Sequence, residues 1–540
     1  MIRVGSSFVT VGGGFVEYSG PIVSPEPPVD HYFQLTNRGS SEATLYVTSG
    51  SNGWVFINDE FMGKFTANAQ RTFTVPAGAI VKITGLSPRG NSLDYGTLNS
   101  NSSSNNFSID RFDNSISNPD YMFCRFNGLK SITSWAGAEN YTVLHDTFAM
   151  STGLATLPAS WNGLGNVTQL IGTFNSCGLT SIPSSYAGLG KLTRASQAFA
   201  VGAEGTVAKM TTGGDSGLET LSDLTWSEGM FWGQSLWTGN AKAVYDYLKT
   251  KSLKVSNYDN TFTNCTSSTG YNHIPTSWGG GMTLPTHYLQ FTNFGSNLCK
   301  IAIYSTTSGT AYVDDDFAAD VTASTTTATV VEIPAGSVLK LSGLTPKHDA
   351  NRPLFSDVSG YTGSLSLDRF DDTIQNYEFA FSSWVIPFTS MKRISSWAGA
   401  SNITAFKDTF NSSGLTSIPS SWSGLDSLTN MWGMFNGCTS LTAIPDSWSG
   451  LNNVTSMYCA FSDNSGLLAG GSTGFSALSK VTNMWYTFKG CTQWTGDAKA
   501  MYDYMSTKSI TVTDHTNTFL NCTNTVGYYQ IPSSWGGGAY

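Results

Sequence analysis

The chain contains much of itself twice, and any fold must accommodate that. His31-Tyr32-Phe33-Gln34-Leu35-Thr36-Asn37 returns as His287-Tyr288-Leu289-Gln290-Phe291-Thr292-Asn293. Val75-Pro76-Ala77-Gly78 returns as Ile333-Pro334-Ala335-Gly336, and Ser108-Ile109-Asp110-Arg111-Phe112-Asp113 as Ser366-Leu367-Asp368-Arg369-Phe370-Asp371. Further on, Ser134-Trp135-Ala136-Gly137-Ala138 returns as Ser396-Trp397-Ala398-Gly399-Ala400, and Ile274-Pro275-Thr276-Ser277-Trp278 as Ile531-Pro532-Ser533-Ser534-Trp535. Five collinear matches exclude coincidence and define two tandem copies of roughly 255 residues. At 540 residues the chain is too long for one core, so several domains are expected.

The first part of each copy, 30–115 and 286–373, reads as short alternating strands. Thr44-Leu45-Tyr46-Val47, Trp54-Val55-Phe56-Ile57, Thr72-Phe73-Thr74-Val75 and Ile80-Val81-Lys82-Ile83 are examples. Turn residues separate them, which predicts a small antiparallel β-sandwich. Asn58-Asp59 and Asp314-Asp315-Asp316 suit a hairpin turn. The three aspartates with Asp320 also admit Ca²⁺, but the first copy has Asn58, Asp59 and Glu60 there, and EF-hand spacing is lacking.

The second part, 116–285 and 374–540, has a shorter period. Phe148, Phe174, Phe199, Phe231 and Phe262 in copy one, and Phe410, Phe435, Phe461, Phe488 and Phe519 in copy two, each end an apolar stretch. Steps of 25 to 27 residues dominate. Leu415-Thr416-Ser417-Ile418-Pro419, with Trp422, Gly424 and Leu425, recurs 26 residues later as Leu441-Thr442-Ala443-Ile444-Pro445, with Trp448, Gly450 and Leu451. Such a period predicts a solenoid whose stacked rungs share one core. A longer step of 31 falls at the same place in both copies and holds Asn240–Lys251 and Asp497–Lys508. Their N-capping first residues and i,i+4 apolar pairs, Val244/Leu248 and Met501/Met505, predict one short helix per copy.

Residues 1–29 lie outside both copies. A β-prone stretch leads into the Pro-rich segment 21–29, a stiff spacer, and the whole reads as an anchor. The N-terminus has no apolar signal-peptide core, and no window is long enough to span a membrane. Charged residues make up only 12% while aromatics reach 13%, which suits a β-rich surface protein faced with hydroxyls and amides. The net charge of −9, without a basic run, argues against nucleic acid.

Chemical candidates are sparse. Of eight cysteines, Cys177, Cys265, Cys438, Cys491 and Cys522 each lie three residues after a rung Phe, where other rungs carry Ser151, Ser413 and Asn464. They read as buried thiols, with a Cys491–Cys522 bridge open as an alternative; no zinc spacing occurs. None of the histidines, His31, His145, His273, His287, His348 and His515, forms a ligand-like pair. Gly470-Gly471-Ser472-Thr473-Gly474 lacks the strand and helix that a nucleophile elbow requires. Asp110/Asp113 and Asp368/Asp371 recur, and read either as Asp–Arg junctions or as paired acids for glycan cleavage. Trp161, Trp422 and Trp448, with Tyr186 as a variant, follow Pro-x-Ser. Facing solvent they would form an aromatic stripe for sugar rings; folded over the next rung they would be core. They are the ligand-binding candidates. No catalytic residue, metal or cofactor is expected.

The line Leu428-Thr429-Asn430-Met431-Trp432-Gly433-Met434-Phe435-Asn436-Gly437-Cys438, with Val454-Thr455-Ser456-Met457 and Val481-Thr482-Asn483-Met484, resembles BspA-like (Treponema-type) leucine-rich repeats. It is also similar to repeat proteins of gut bacteria and their phages. The resemblance implies adhesion or ligand binding and brings no catalytic residues. The expected protein is a non-enzymatic, homo-oligomeric bacteriophage fibre or appendage on the virion surface. It would dock to other virion proteins through 1–29 and bind a host surface glycan or protein, without membrane insertion. A secreted bacterial cell-surface adhesin is the alternative, and a glycan depolymerase the third reading. Function is expected where the copies differ, for example at 200–218 against 462–475.

Overall fold

A computed structural model describes residues 25–89, 96–100, 102–202, 207–250, 255–347, 349, 353–382, 388–507 and 512–539, with the strands Ser7–Val11 and Gly14–Tyr18. The chain divides into two compact units, Met1–Thr283 (unit 1) and Leu284–Tyr540 (unit 2). It is mainly β, with several sheets and, among the described residues, two α-helices. Of the N-terminal segment, the two strands form an antiparallel hairpin; residues 21–24 of the Pro-rich spacer, and His348, lie outside the described residues.

Each unit opens with a six-stranded and a three-stranded sheet. In unit 1 the six-stranded order is Leu129–Ile132, Phe107–Arg111, Phe33–Asn37, Ile80–Thr84, Gly53–Ile57, Glu60–Phe65. Unit 2 has the same order: Met391–Ile394, Leu365–Arg369, Leu289–Asn293, Val338–Ser342, Gly309–Val313, Asp316–Val321. Asn58 and Asp59 both take left-handed φ, 49° and 65°, as do Asp314 and Asp315 at 51° and 65°. Two such residues make the tight hairpin that matches strand twist, and Asn and Asp tolerate it. The turn acids meet lysines: Asp59 with Lys82 at 2.7 Å and Asp315 with Lys340 at 2.6 Å.

The first strand of the second part is parallel to the last strand of the first part, Leu129–Ile132 on Phe107–Arg111 and Met391–Ile394 on Leu365–Arg369. The expected division at 115/116 is therefore no break in the core. One cluster of buried side chains runs from Phe33 to Trp278, and another from Leu289 to Trp535.

Beyond this junction, successive segments lie side by side as rungs joined by parallel bridges. In unit 2 these run Asn376, Ala405, Asn430, Ser456, Asn483, Asp514; in unit 1, Gln169, Arg194, Trp226, Asn257. Amides of alternate residues donate to the next rung, for example Met431 N to Ser456 O at 2.9 Å, Gly433 N to Tyr458 O at 2.7 Å and Phe435 N to Ala460 O at 2.9 Å. The rung phenylalanines stack: Phe410–Phe435 centroids are 5.4 Å apart, Phe435–Phe461 5.7 Å and Phe461–Phe488 5.3 Å.

Several residues flanking the Phe satisfy carbonyls the ladder leaves over. On some rungs a Thr before the Phe donates to the previous rung, Thr409 Oγ1 to Tyr377 O at 2.9 Å and Thr518 Oγ1 to Met484 O at 3.0 Å, whereas Ala198, Met230, Met434 and Ala460 stand there on others. Three residues after the Phe, a small donor reaches the preceding Phe carbonyl: Ser151 to Phe123 at 2.7 Å, Cys438 to Phe410 at 3.1 Å, Cys491 to Phe461 at 3.0 Å, Cys522 to Phe488 at 2.8 Å. A buried carbonyl needs a partner, and either hydroxyl or thiol supplies one. All eight cysteines are free, and burial pushes the Cys522 thiol up to about 12.

The helices are Ala241–Thr250 and Ala498–Thr507. Asn240 Oδ1 accepts from Ala243 N at 2.9 Å and Asp497 Oδ1 from Ala500 N at 2.8 Å, while Val244, Leu248, Met501 and Met505 are buried.

Candidate functional site

The stripe expected from Trp161, Tyr186, Trp422 and Trp448 is overturned, because all four are wholly buried. The Trp after Pro-x-Ser folds inward and stacks on its counterpart one rung away. Trp135–Trp161 lie 6.0 Å apart, Trp397–Trp422 6.0 Å and Trp422–Trp448 6.1 Å. Packing against Leu and Phe removes their apolar area from water, and no ring face is left for a ligand.

A different row faces out. Within a rung the strand alternates, so Met431, Met457 and Met484 point into the core and the next residues, Trp432, Tyr458 and Trp485, point away from it. Asn430 Oδ1 accepts from Trp432 N at 2.9 Å, and Asn483 Oδ1 from Trp485 N at 3.0 Å. A left-handed residue follows each, Gly433 at φ 58°, Cys459 at 52° and Tyr486 at 56°, and turns the chain back so that the Phe enters the core. In sequence the signal is the residue after each rung Met.

The row is contiguous. Trp432 and Tyr458 centroids are 4.7 Å apart, and Tyr458 and Trp485 5.4 Å, with Tyr486 a further 5.3 Å from Trp485. Trp432 is 41% exposed, and Tyr458, Trp485 and Tyr486 are half-buried. Lys407 lies over Trp432 at 5.1 Å and pairs with Glu378 at 2.5 Å. Lys489 lies over Tyr486 at 5.4 Å and 3.5 Å from Asp463. Beside Lys407, burial pushes the Asp408 carboxyl above its ordinary range, despite a hydrogen bond from Asn411. Burial likewise pushes the Cys459 thiol up to about 11, against a hydrogen bond with Tyr458.

Unit 1 places other residues at the same positions: His145, Ile171, Ser196, Glu228 and Asp259. His145 Nε2 lies 3.3 Å from Tyr121 Oη and 3.3 Å from Asp146 Oδ2, and its amide donates to Asp120 Oδ1 at 3.1 Å. Burial raises the Asp146 carboxyl.

The recurrent acids are used within the fold. Burial would raise Asp110, but hydrogen bonds from Thr36, Thr133, Ser108 and Arg38 outweigh it and leave its pKa lowered. Asp113 caps Ser115 N at 2.9 Å and Asp371 caps Thr373 N at 2.9 Å. In the Gly-x-Ser-x-Gly stretch, Gly470 O accepts from Trp494 Nε1 and Gly471 O from Trp448 Nε1, both at 3.0 Å. Among the described residues no group of three or more His, Cys, Asp or Glu is placed to hold a metal ion, and no helix is long and apolar enough to cross a membrane. No protein-family model, curated protein or solved structure matches the chain.

Proposed function

We propose that each unit is a small β-sandwich continued by a leucine-rich-repeat solenoid of the BspA-like kind, and that the protein is a non-enzymatic surface-binding appendage. The shared strand order, the parallel bridges between successive rungs and the stacked Phe rows support the architecture. One observation carries the function: the outward row Lys407, Trp432, Tyr458, Trp485 on consecutive rungs. At about 4.8 Å per rung the three aromatics extend over roughly 10 Å. Their faces suit the C–H faces of sugar rings, and Lys407, Glu378 and Asp463 supply donors and acceptors for hydroxyls. The ligand class is therefore a host-surface glycan.

The leading setting is a bacteriophage fibre docked through residues 1–29, and the alternative is a bacterial surface adhesin; both use the same row. The test is a glycan array and host-cell binding with the intact chain and with Trp432→Ala/Trp485→Ala. Binding lost in a normally folded variant is the expected result, and unchanged binding removes the row from consideration. Deleting 1–29 and following incorporation into the parent particle decides the setting, since a truncated chain that still incorporates refutes docking. Glycan cleavage lost on Asp110→Asn would revive the depolymerase.

A further inference from the structure

Unit 1 holds a guanidinium that its own acids leave alone. Gln169, Arg194 and Trp226 stand at the bridge positions of three consecutive rungs, where side chains point outward. The Arg194 guanidinium lies over the Trp226 indole, 4.2 Å from the ring centroid. Trp226 Nε1 donates to Glu228 Oε2 at 3.0 Å, which fixes the ring. Arg194 Nε is buried without a hydrogen-bond partner, and among the described residues no carboxylate lies within ion-pair distance of this side chain. Arg38, by contrast, pairs with Asp110 at 3.1 Å and Arg369 with Asp372 at 3.5 Å, while Arg111, over the Tyr32 ring at 4.9 Å, shares the buried unpartnered Nε but not the place on a rung.

A cation held over an indole is pre-oriented, and less of its freedom is lost when a ligand arrives. With Nε turned inward, the outward edge of this half-buried side chain is its pair of Nη groups. That edge matches a planar carboxylate in a two-bond contact. The single positive charge of Arg194 matches one carboxylate, and the like charge of Glu228 nearby penalises a phosphate dianion more than a monoanion. One rung away, the half-buried Gln169 amide has no hydrogen-bond partner among the described residues and offers both a donor and an acceptor to a sugar hydroxyl. Unit 2 has Asn430, Ser456 and Asn483 at the three positions, and no cation.

We infer that Gln169, Arg194 and Trp226 form a subsite for the carboxylate of a uronic-acid-type sugar, independent of the aromatic row of unit 2. The experiment is isothermal titration of the intact chain at low salt with trigalacturonate, its methyl ester and inorganic phosphate. Trigalacturonate binds the wild type, Arg194→Gln weakens it at least about tenfold, and Arg194→Lys, which keeps the charge and loses the fork, weakens it less. The methyl ester does not bind. No trigalacturonate binding up to ~10 mM overturns the inference. So does undiminished binding by Arg194→Gln with a native melting curve, or Arg194-dependent binding of phosphate alone. Should Arg194→Gln fail to fold, undiminished binding by Arg194→Lys, whose stem still covers Trp226, overturns it equally.

Discussion

At the second rung both units place a basic side chain beside an aspartate in left-handed backbone, His145 with Asp146 (φ 48°) and Lys407 with Asp408 (φ 46°). A glycine follows one rung later in each, Gly172 or Gly433, because a Cβ there would sit 2.1 or 2.0 Å from the aspartate Oδ1. Past that point the outward rows part: Ile171, Ser196 and Glu228 in unit 1 stand where Trp432, Tyr458 and Trp485 stand in unit 2. Inward, the two units keep the same Phe stack, and donors of varied type meet leftover carbonyls, as Gln234 does for Phe199 O and Cys491 for Phe461 O. Packing and hydrogen-bond satisfaction bind the inside of a rung, since a cavity or an unmet carbonyl costs stability. Neither constraint reaches the outward positions, so the units were free to acquire different surfaces there.

The largest effect tests the separation of inside from outside. Trp422→Ala is expected to destabilise unit 2 by about 3–5 kcal/mol, as a buried indole replaced by a cavity should. Trp432→Ala, ten residues on and outward, is expected to cost less than ~1 kcal/mol. Denaturant unfolding of the intact chain measures both, and equal costs would break the distinction between the rows.

Next comes the exchange of one surface for the other. Trp432→Ile, Tyr458→Ser and Trp485→Glu give unit 2 the residues of unit 1 on an unchanged backbone. Binding to any glycan recognised by the wild type should fall by about 2 kcal/mol or more, some thirtyfold, as for loss of central aromatic anchors. Retained binding would move the ligand site off this row.

Much of this organisation was legible in the sequence. The period gave the Phe rungs, Asn240 and Asp497 marked the helix starts, and Asn58-Asp59 marked a hairpin. The direction of each tryptophan was not legible. Period says that a position recurs; whether it faces in or out depends on how the chain bends between bridges. Left-handed residues such as Gly433 (φ 58°) and Gly437 (φ 68°) make those bends, and they include Ser412, Cys459 and Tyr486, which announce no bend. Thus the sequence leaves Trp422 and Trp448 open between surface stripe and core, and nothing in the repeat marks Trp432 or Trp485 as outward. The stretches 200–218 and 462–475, where the copies differ most in sequence, are separate from the outward row, and residues 203–206 lie outside the described residues.

A smaller effect sharpens the inner row itself. Trp448 Nε1 donates to Gly471 O at 3.0 Å, whereas Trp422 Nε1 and Trp161 Nε1 are buried without a partner. Removing a donor strands the Gly471 carbonyl in one case and nothing in the other. Trp448→Phe should therefore cost about 1 kcal/mol more than Trp422→Phe, once the similar loss of ring volume cancels. Equal values in thermal unfolding would mean that Trp422 finds an acceptor in solution.

The smallest effect lies where the first strand of each unit starts. His287 Nδ1 and Asp372 Oδ1 are 2.5 Å apart in unit 2, while in unit 1 His31 Nδ1 meets the amide oxygen of Asn114 at 2.7 Å. The hydrogen bond from His287, and behind it the charges of His287 and Arg369, hold the Asp372 carboxyl below its usual range. A carboxyl whose folded pKa is depressed contributes stability that is complete above its unfolded pKa and is lost as pH falls through the folded one. Both partners are partly exposed, so the contribution is small and salt-screened. Asp372→Asn should flatten the acid limb of the unit 2 melting temperature between about pH 5 and pH 3. Asn114→Asp should steepen that of unit 1, each by about 1–2 °C. Calorimetry of the intact chain at low and high salt reads both. If the acid limb is unmoved in Asp372→Asn at low salt, the His287–Asp372 contact does not distinguish the units in solution, and their difference resides in the outward rows alone.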